Sequence, residues 1–189
     1  MDYTHEIDAA LASRGPIPKE KVLLWLESAK DLSTLMKLYT LTGEGYYRIQ
    51  PDLGKEAECG AVRDYLVECM RQDVIDSDQI QSRWEAARTL HLWLRQLLEM
   101  GDASDEIKKT AQAITELFVT SGADIQLAIE QGFLEHALES TSLRTYFDHW
   151  SKDETLRGTW ERALEWADDH HDWSWKLHQE FLRRIKEVE

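Results

Sequence analysis

The placement of proline is the feature that most constrains what this chain can fold into. Its three prolines, Pro16, Pro18 and Pro51, lie within the first 51 residues, and the other 138 residues contain none. A stretch without proline can stay helical without interior breaks, because proline removes a backbone donor and clashes with the preceding turn. Apolar residues recur at helical spacing, and residues 46–49 are the only short candidate for a strand. The sequence therefore predicts an all-α fold.

Short turns between the predicted helices indicate that neighbouring helices are antiparallel. We expect a single all-α domain over residues 1–189, with about eight to ten helices. Residues 1–54 hold the N-terminal helices and an irregular segment between Gly43 and Gly54, and residues 55–189 hold an antiparallel helical core. Two architectures fit this pattern, a helical bundle and a short irregular array of helical hairpins of the HEAT-like kind.

The charge balance limits the kinds of partner that the chain can have. The 36 Asp and Glu residues against 22 Lys and Arg residues give a formal net charge of −14. Nucleic-acid binding draws on clustered Lys and Arg, so we predict no nucleic-acid partner. The longest apolar run, residues 22–26, is far shorter than the roughly 20 residues that span a bilayer, and the first 14 residues do not resemble a signal peptide. We predict a cytoplasmic protein with no membrane partner.

The two cysteines give no sign of a disulfide or of a metal centre. Cys59 and Cys69 fall in one predicted helix, in which ten residues span about 15 Å. That separation is too long for a disulfide, and two thiols alone do not make a zinc site. We expect two buried free thiols and no cofactor.

Catalytic signatures of serine hydrolases, P-loop enzymes and zincins are absent from the sequence. Residues 168–172, Asp-Asp-His-His-Asp, have metal-ligand chemistry. On a continuous helix Asp168, His171 and Asp172 would share one face, and His178 would follow on that face. A metal-dependent enzyme that uses these four residues is therefore one interpretation. The other is a solvated polar end between two helices, with an acid as a helix cap.

His136 lies on a mainly apolar face of a predicted helix. We expect it to be a buried histidine that is bonded to a neighbour. The acids Glu135 and Glu139 flank it, and a carboxylate beside a buried imidazole would favour the protonated form and give it a switching role. The structural role is the one we predict, and the switching role is the alternative.

Acidic residues and tryptophan are concentrated in the same part of the chain. Residues 102–172 hold 16 acids and 6 bases, and five of the eight tryptophans fall within residues 150–175. An exposed tryptophan beside acids is typical of a protein-binding hot spot, although acidic runs are also the usual solvated surface of a soluble protein. We predict an acidic face that docks a basic protein. Its predicted contact residues are Trp175, Asp168, Asp169 and Asp172, with Glu135 and Glu139 as secondary contacts.

A resemblance adds to this interpretation. The segments ITELFVTSGADI (114–125) and GFLEHALE (132–139) resemble a pattern in small acidic all-α bacterial proteins, some of which resemble immunity proteins encoded beside secreted toxins. Within the pattern Gly132 is expected to allow close approach of two helices, and no catalytic residue is transferred. The resemblance implies a non-enzymatic inhibitor of immunity type that neutralises a basic partner or toxin. A helical scaffold that binds peptides is the further alternative.

Overall fold

The structure of the chain is a computed structural model that describes residues 3–74, 80–101 and 103–170. Within these ranges the chain is mostly helical and has only two strands, of two residues each, which confirms the predicted all-α class. With 123–138 counted as one continuous helix, the described residues form ten helices. They are α1 (Thr4–Ala12), α2 (Lys19–Ser28), α3 (Leu32–Glu44), α4 (Lys55–Gln72), α5 (Arg83–Met100), α6 (Ser104–Thr120), α7 (123–138), α8 (Thr141–Phe147), α9 (His149–Lys152) and α10 (157–170).

The connection between α3 and α4 is irregular, as the sequence predicted. It contains a short 3-10 helix, Tyr46–Arg48, and a strand, β2 (Ile49–Gln50), which pairs in parallel with β1 (Ile17–Pro18). The extended backbone thus begins at Ile49 and not at Tyr46, because the two tyrosines and Arg48 form the 3-10 turn. The guanidinium of Arg48 donates hydrogen bonds to backbone carbonyls at the end of α1 and beyond it, so this connection is fixed to the N-terminal helix.

Buried apolar side chains form two clusters that meet along α3. Leu32 and Leu35 belong to the larger cluster, which takes its other members from α4 to α10. Leu38 and Leu41 belong to the smaller cluster, which is completed by side chains from α1, α2 and the strand pair. Helix α3 therefore joins the N-terminal helices to the rest of the fold.

Helix α7 widens in its middle. Its ends, Ala123–Leu127 and Glu135–Leu138, are α-helical, and Ala128–Leu134 between them is a π-helix. A Cβ atom on Gly132 would lie 3.1 Å from the Cβ of Ala87 and 3.1 Å from the Cε3 of Trp84, both on α5. Glycine is thus what allows α5 and α7 to pack this closely, as the sequence pattern had indicated.

Two of the clustered tryptophans belong to the core. Trp150 is fully buried and its indole nitrogen donates to the hydroxyl of Thr115 over 2.8 Å, and Trp160 is 7% exposed. Cys59 and Cys69 are buried free thiols, which confirms that prediction.

Among the described residues, no helix combines the length and the apolar character that crossing a bilayer requires.

Candidate functional site

Several of the predicted site residues come together where α5, α7 and α10 meet. Four rings form a continuous row across this junction, which we call the ring ladder: His91, His136, Trp166 and His170. Successive ring centroids are 5.2, 4.8 and 3.8 Å apart. His91 and His136 stack, Trp166 meets His136 edge to face, and His170 stacks on Trp166 one helical turn away. The ladder runs from the core to the surface, because His91 is buried and His170 is exposed.

The inner end of the ladder carries no charge at neutral pH. His91 is 6% exposed, and its Nδ1 atom has no hydrogen-bond partner among the described residues. Burial lowers the pKa of His91 to about 4, and the neighbouring His136 and Arg95 act in the same direction. A histidine in this position is a polar ring within the core, and it does not act as a base for chemistry at the surface.

His136 is bonded to a neighbour, as predicted, but it is half-buried and not fully enclosed. Its Nδ1 lies 3.1 Å from Oε1 of Glu139, and the other oxygen of Glu139 lies 3.9 Å from Nη1 of Arg95 on α5. The side chain of His136 is 35% exposed because it lies at the edge of the junction, where Trp166 covers one side of its ring. Glu139 therefore links α7 to α5 through one carboxylate.

Glu135 lies beside this cluster and is also half-buried. Burial raises the pKa of Glu135, and the carboxylate of Glu130 acts in the same direction, whereas the neighbouring His136 and His170 act against the shift. Within the part of the chain that the structure describes, no hydrogen bond or ion pair compensates this carboxylate. Glu135 is thus an acid held in a partly desolvated place near His136 and His170.

Asp168 and Asp169 are adjacent and exposed on α10, yet their environments differ. Asp168 accepts a hydrogen bond of 2.6 Å from Nη2 of Arg144 on α8. Arg144 also donates to the carbonyl of Leu138, so it ties α8 to the end of α7 and to α10. Asp169 makes no ion pair within residues 103–170.

Asp169 belongs to a row of acids that sequence reasoning missed. Glu161, Glu165 and Asp169 are spaced by four residues, so they lie on one face of α10, and all three are exposed. No cation and no hydrogen-bond donor among the described residues pairs with any of them. We call these three residues the acidic row. The signal that would have found it was the i, i+4 spacing of like charges.

Four of the predicted residues lie outside the described residues: Trp175, Asp172, His171 and His178. The structure therefore says nothing about the proposed anchor tryptophan or about most of the proposed metal ligands. Asp168 is the one member of that metal set within the described ranges, where Arg144 pairs with it. In those ranges, no three His, Cys, Asp or Glu side chains are grouped so that they could hold a metal ion.

The junction thus presents formal negative charges on one helix face, next to a half-buried tryptophan and an exposed histidine. Such an arrangement attracts cationic groups and offers them aromatic surface. Comparisons with known proteins add no relative: no family model matches the chain, and no curated protein and no solved structure is significantly similar to it.

Proposed function

We propose that the chain is a non-enzymatic protein-binding module that neutralises a basic partner. The most concrete form of the proposal is an inhibitor of immunity type that acts in the cytoplasm and covers a basic toxin. The contact face would be the acidic row, extended by Asp168 and by the predicted residues Asp172 and Trp175.

The observation that carries the proposal is the acidic row itself. Like charges four residues apart on a helix repel each other and destabilise the helix, typically by about 0.2 to 0.5 kcal/mol for each pair. Six of the eleven other acids in residues 103–170 form ion pairs, as Glu130 does with Arg162 and Asp148 with Lys152. A basic partner would relieve the repulsion in the row, and the field of the row would steer that partner to the face.

The secondary contacts divide into two kinds. Glu139 and Asp168 already pair with arginines inside the free chain, so a partner would gain less from them. Glu135 makes no ion pair among the described residues and is partly desolvated. We therefore assign Glu135 a supporting role at the edge of the face and the acidic row the main one.

The test has two stages. The tagged chain is purified from the host that encodes it, and a partner that copurifies in stoichiometric amount is identified. The association rate of the pair is then measured against salt for the parent and for a triple variant, Glu161→Lys, Glu165→Lys and Asp169→Lys. We expect the rate of the parent to fall steeply with salt and the triple variant to lose association.

A matched control reverses three exposed acids on other helices, Glu20, Glu27 and Glu99. This control changes the net charge by the same amount, so it separates the effect of the row from that of total charge. A pair whose association rate does not depend on salt, or equal losses in both triple variants, would contradict the proposal.

A further inference from the structure

A second feature of the molecule is a cavity of about 470 Å³, and none of the residues that line it belongs to the ring ladder or to the acidic row. Residues of α3, α4 and α5 line the cavity, which is open to solvent. Its volume is within the range of pockets that hold small organic molecules. The cavity therefore raises a question of ligand binding that does not depend on the proposed protein partner.

The side chains that line the cavity are mainly apolar, and several of them are held in place. Tyr39 of α3 is one, because its ring stacks on the buried Tyr65 at a centroid distance of 4.5 Å. Cys59 and Leu97 are buried and contribute lining from α4 and α5. A ligand would thus meet a surface that exists before it binds, and this lowers the entropic cost of binding.

Helix α5 has exposed apolar side chains on the side that lines the cavity. Leu92 and Met100 are 47% and 63% exposed, and Trp93 between them is half-buried. The opposite side of α5 packs on α7, so these three side chains are not the ones that join the two helices. Exposed apolar side chains grouped around a concave surface are typical of a binding site.

The lining of the cavity carries one formal charge of each sign. Lys55 and Glu58 both line it, and they are three residues apart on α4, where such residues are neighbours on one helix face. The other lining residues are uncharged at neutral pH, so the formal charges of the lining cancel. An ionic ligand would therefore meet no net charge that could offset the cost of removing it from water.

Two titratable groups of the lining indicate that water is partly excluded from them. Burial raises the pKa of the Glu58 carboxyl, and the carboxylate of Asp52 acts in the same direction. Burial raises the pKa of the Cys59 thiol as well, with the carboxylate of Glu106 acting in the same direction and Lys55 against it. Both shifts favour the uncharged form of the group. The surroundings of the cavity thus disfavour negative charge even on its own side chains.

We propose that this cavity binds a small, uncharged organic molecule that is mainly apolar. The body of the ligand lies against Tyr39, Val62 and Trp93, and burial of this apolar surface supplies the affinity. Aromatic ligands are favoured, because the two ring side chains and the sulfur of Met100 make favourable contacts with an aromatic ring. A charged molecule of the same shape would lose part of its hydration and meet one attracting and one repelling charge, so the site discriminates against ions.

The experiment uses three probes of one shape: 1-naphthalenemethanol, which is neutral, 1-naphthylmethylamine, which is a cation at pH 7, and 1-naphthoate, which is an anion. Each is titrated into the full chain labelled with ¹⁵N, and shifts of the amide and indole N–H groups are followed by NMR. We expect saturable shifts with the alcohol at Gly43, Val62 and Trp93. We expect the amine and the carboxylate each to bind at least about tenfold more weakly, because both must be desolvated.

Two variants test whether the probe occupies the cavity. Thr89→Trp places an indole in the cavity from α5 and is expected to abolish binding of the alcohol. Its matched control, Thr120→Trp, places the same side chain at the exposed end of α6, outside the cavity, and should bind the alcohol like the parent. Gly43→Leu narrows the cavity from α3, where an added Cβ meets no atom within 4 Å, and is expected to abolish binding as well.

The proposal is overturned if 1-naphthalenemethanol gives no saturable shift at the cavity, or if either ion binds as tightly as the alcohol. It is equally overturned if Thr89→Trp, or Gly43→Leu should the first variant not fold, binds the alcohol like the parent. Shifts of the same groups when the chain is concentrated without a probe would show that a second copy covers the cavity, and they would overturn it too. None of these results bears on the acidic row, so this proposal and the proposed function fail separately.

Discussion

Arg162 on α10 and Glu130 on α7 form a bidentate ion pair, in which Nε and Nη2 of the guanidinium each donate to one carboxylate oxygen over 2.7 Å. The two sides of the pair are unequally exposed: the side chain of Glu130 is 14% exposed and that of Arg162 is 60% exposed. The pair joins the π-helical part of α7 to the helix that carries the acidic row.

Because Glu130 and Arg162 are unequally exposed, we expect their mutations to lower the free energy of unfolding by unequal amounts. Arg162→Met leaves a mostly buried carboxylate without a counter-charge, and we expect a loss of about 1 to 2 kcal/mol in the free energy of unfolding. Glu130→Gln leaves a guanidinium that water can solvate, and we expect a loss below about 1 kcal/mol. Urea denaturation at pH 7 measures both.

The control for this pair is Lys152→Met. It removes the ion pair with Asp148, in which both side chains are more than half exposed, and we expect almost no change. Equal losses for Arg162→Met and Lys152→Met would contradict the assignment of a structural role to Arg162.

Substitution by alanine is expected to have opposite effects on stability at two glycines within helices, Gly132 and Gly60. Gly132→Ala places a methyl group 3.1 Å from atoms of Ala87 and Trp84, and the resulting overpacking exceeds what alanine gains in helix propensity. We expect a net destabilisation of about 1 kcal/mol. A Trp84→Leu background should reduce this cost, because it removes one of the two contacts.

Gly60 on α4 is the matched control for Gly132. The nearest neighbour of an added Cβ there is the end of the Arg63 side chain at 3.7 Å, so Gly60→Ala meets no obstacle. We expect it to stabilise the chain by up to about 1 kcal/mol. Thermal unfolding measures both variants. Midpoint shifts in the same direction would contradict the prediction that Gly132→Ala destabilises the chain and Gly60→Ala stabilises it.

His91 predicts a pH dependence of stability. Its folded pKa of about 4 lies below the ordinary 6.5, so between these values the unfolded chain takes up a proton that the folded chain does not. Stability due to this group is complete above pH 6.5 and falls as the pH drops toward 4, by about 2 to 3 kcal/mol.

The variant that isolates this effect is His91→Leu, which also removes a buried nitrogen without a described partner. We expect it to be at least as stable as the parent at pH 7 and to have a flatter profile between pH 4 and pH 6.5. Denaturation across this interval tests the prediction, and parallel profiles for both chains would refute it.

The acidic row predicts that one neutral substitution stabilises the free chain. Glu165 has an acid four residues away on each side, so Glu165→Gln removes two repulsions and should add about 0.5 kcal/mol to stability. The gain should shrink as salt is added, since the charges are exposed. The control is Glu154→Gln, in the exposed turn before α10. A gain in stability of the same size there would show that repulsion within the acidic row is not the cause.

The helical class and the places where many helices end followed from proline placement, glycines and apolar spacing. The face of α5 was harder to predict. Apolar spacing predicts Trp84 and Leu98 on its buried side, but Trp84 is 46% exposed and Leu97 is buried in place of the half-buried Leu98. Periodicity sets which residues share a face, whereas packing against α4 and α7 decides which of them become covered.

The start of α5 shows the same limit of pattern reasoning. Ser82 and Glu85 form a capping box, in which the carboxylate of Glu85 accepts from the Ser82 amide over 2.9 Å. The Ser-x-x-Glu spacing is present in the sequence, but other Ser and Asp residues stand just before Ser82, so spacing alone does not fix where the helix begins. The ring ladder was not predictable, because its members come from helices far apart in the chain.

The π-helical middle of α7 determines how a deletion within this helix would affect the fold. A π turn contains one residue more than an α turn, so it shifts the angular phase of everything that follows it along the helix. His136 and Glu139, which contact α5, follow that extra residue along the helix. If the same residues formed a regular α-helix, both side chains would turn by about 100° around the helix axis. Loss of one residue from 128–134 would instead allow a regular α-helix with both side chains still facing α5, so a single deletion is the gap that this stretch accommodates best.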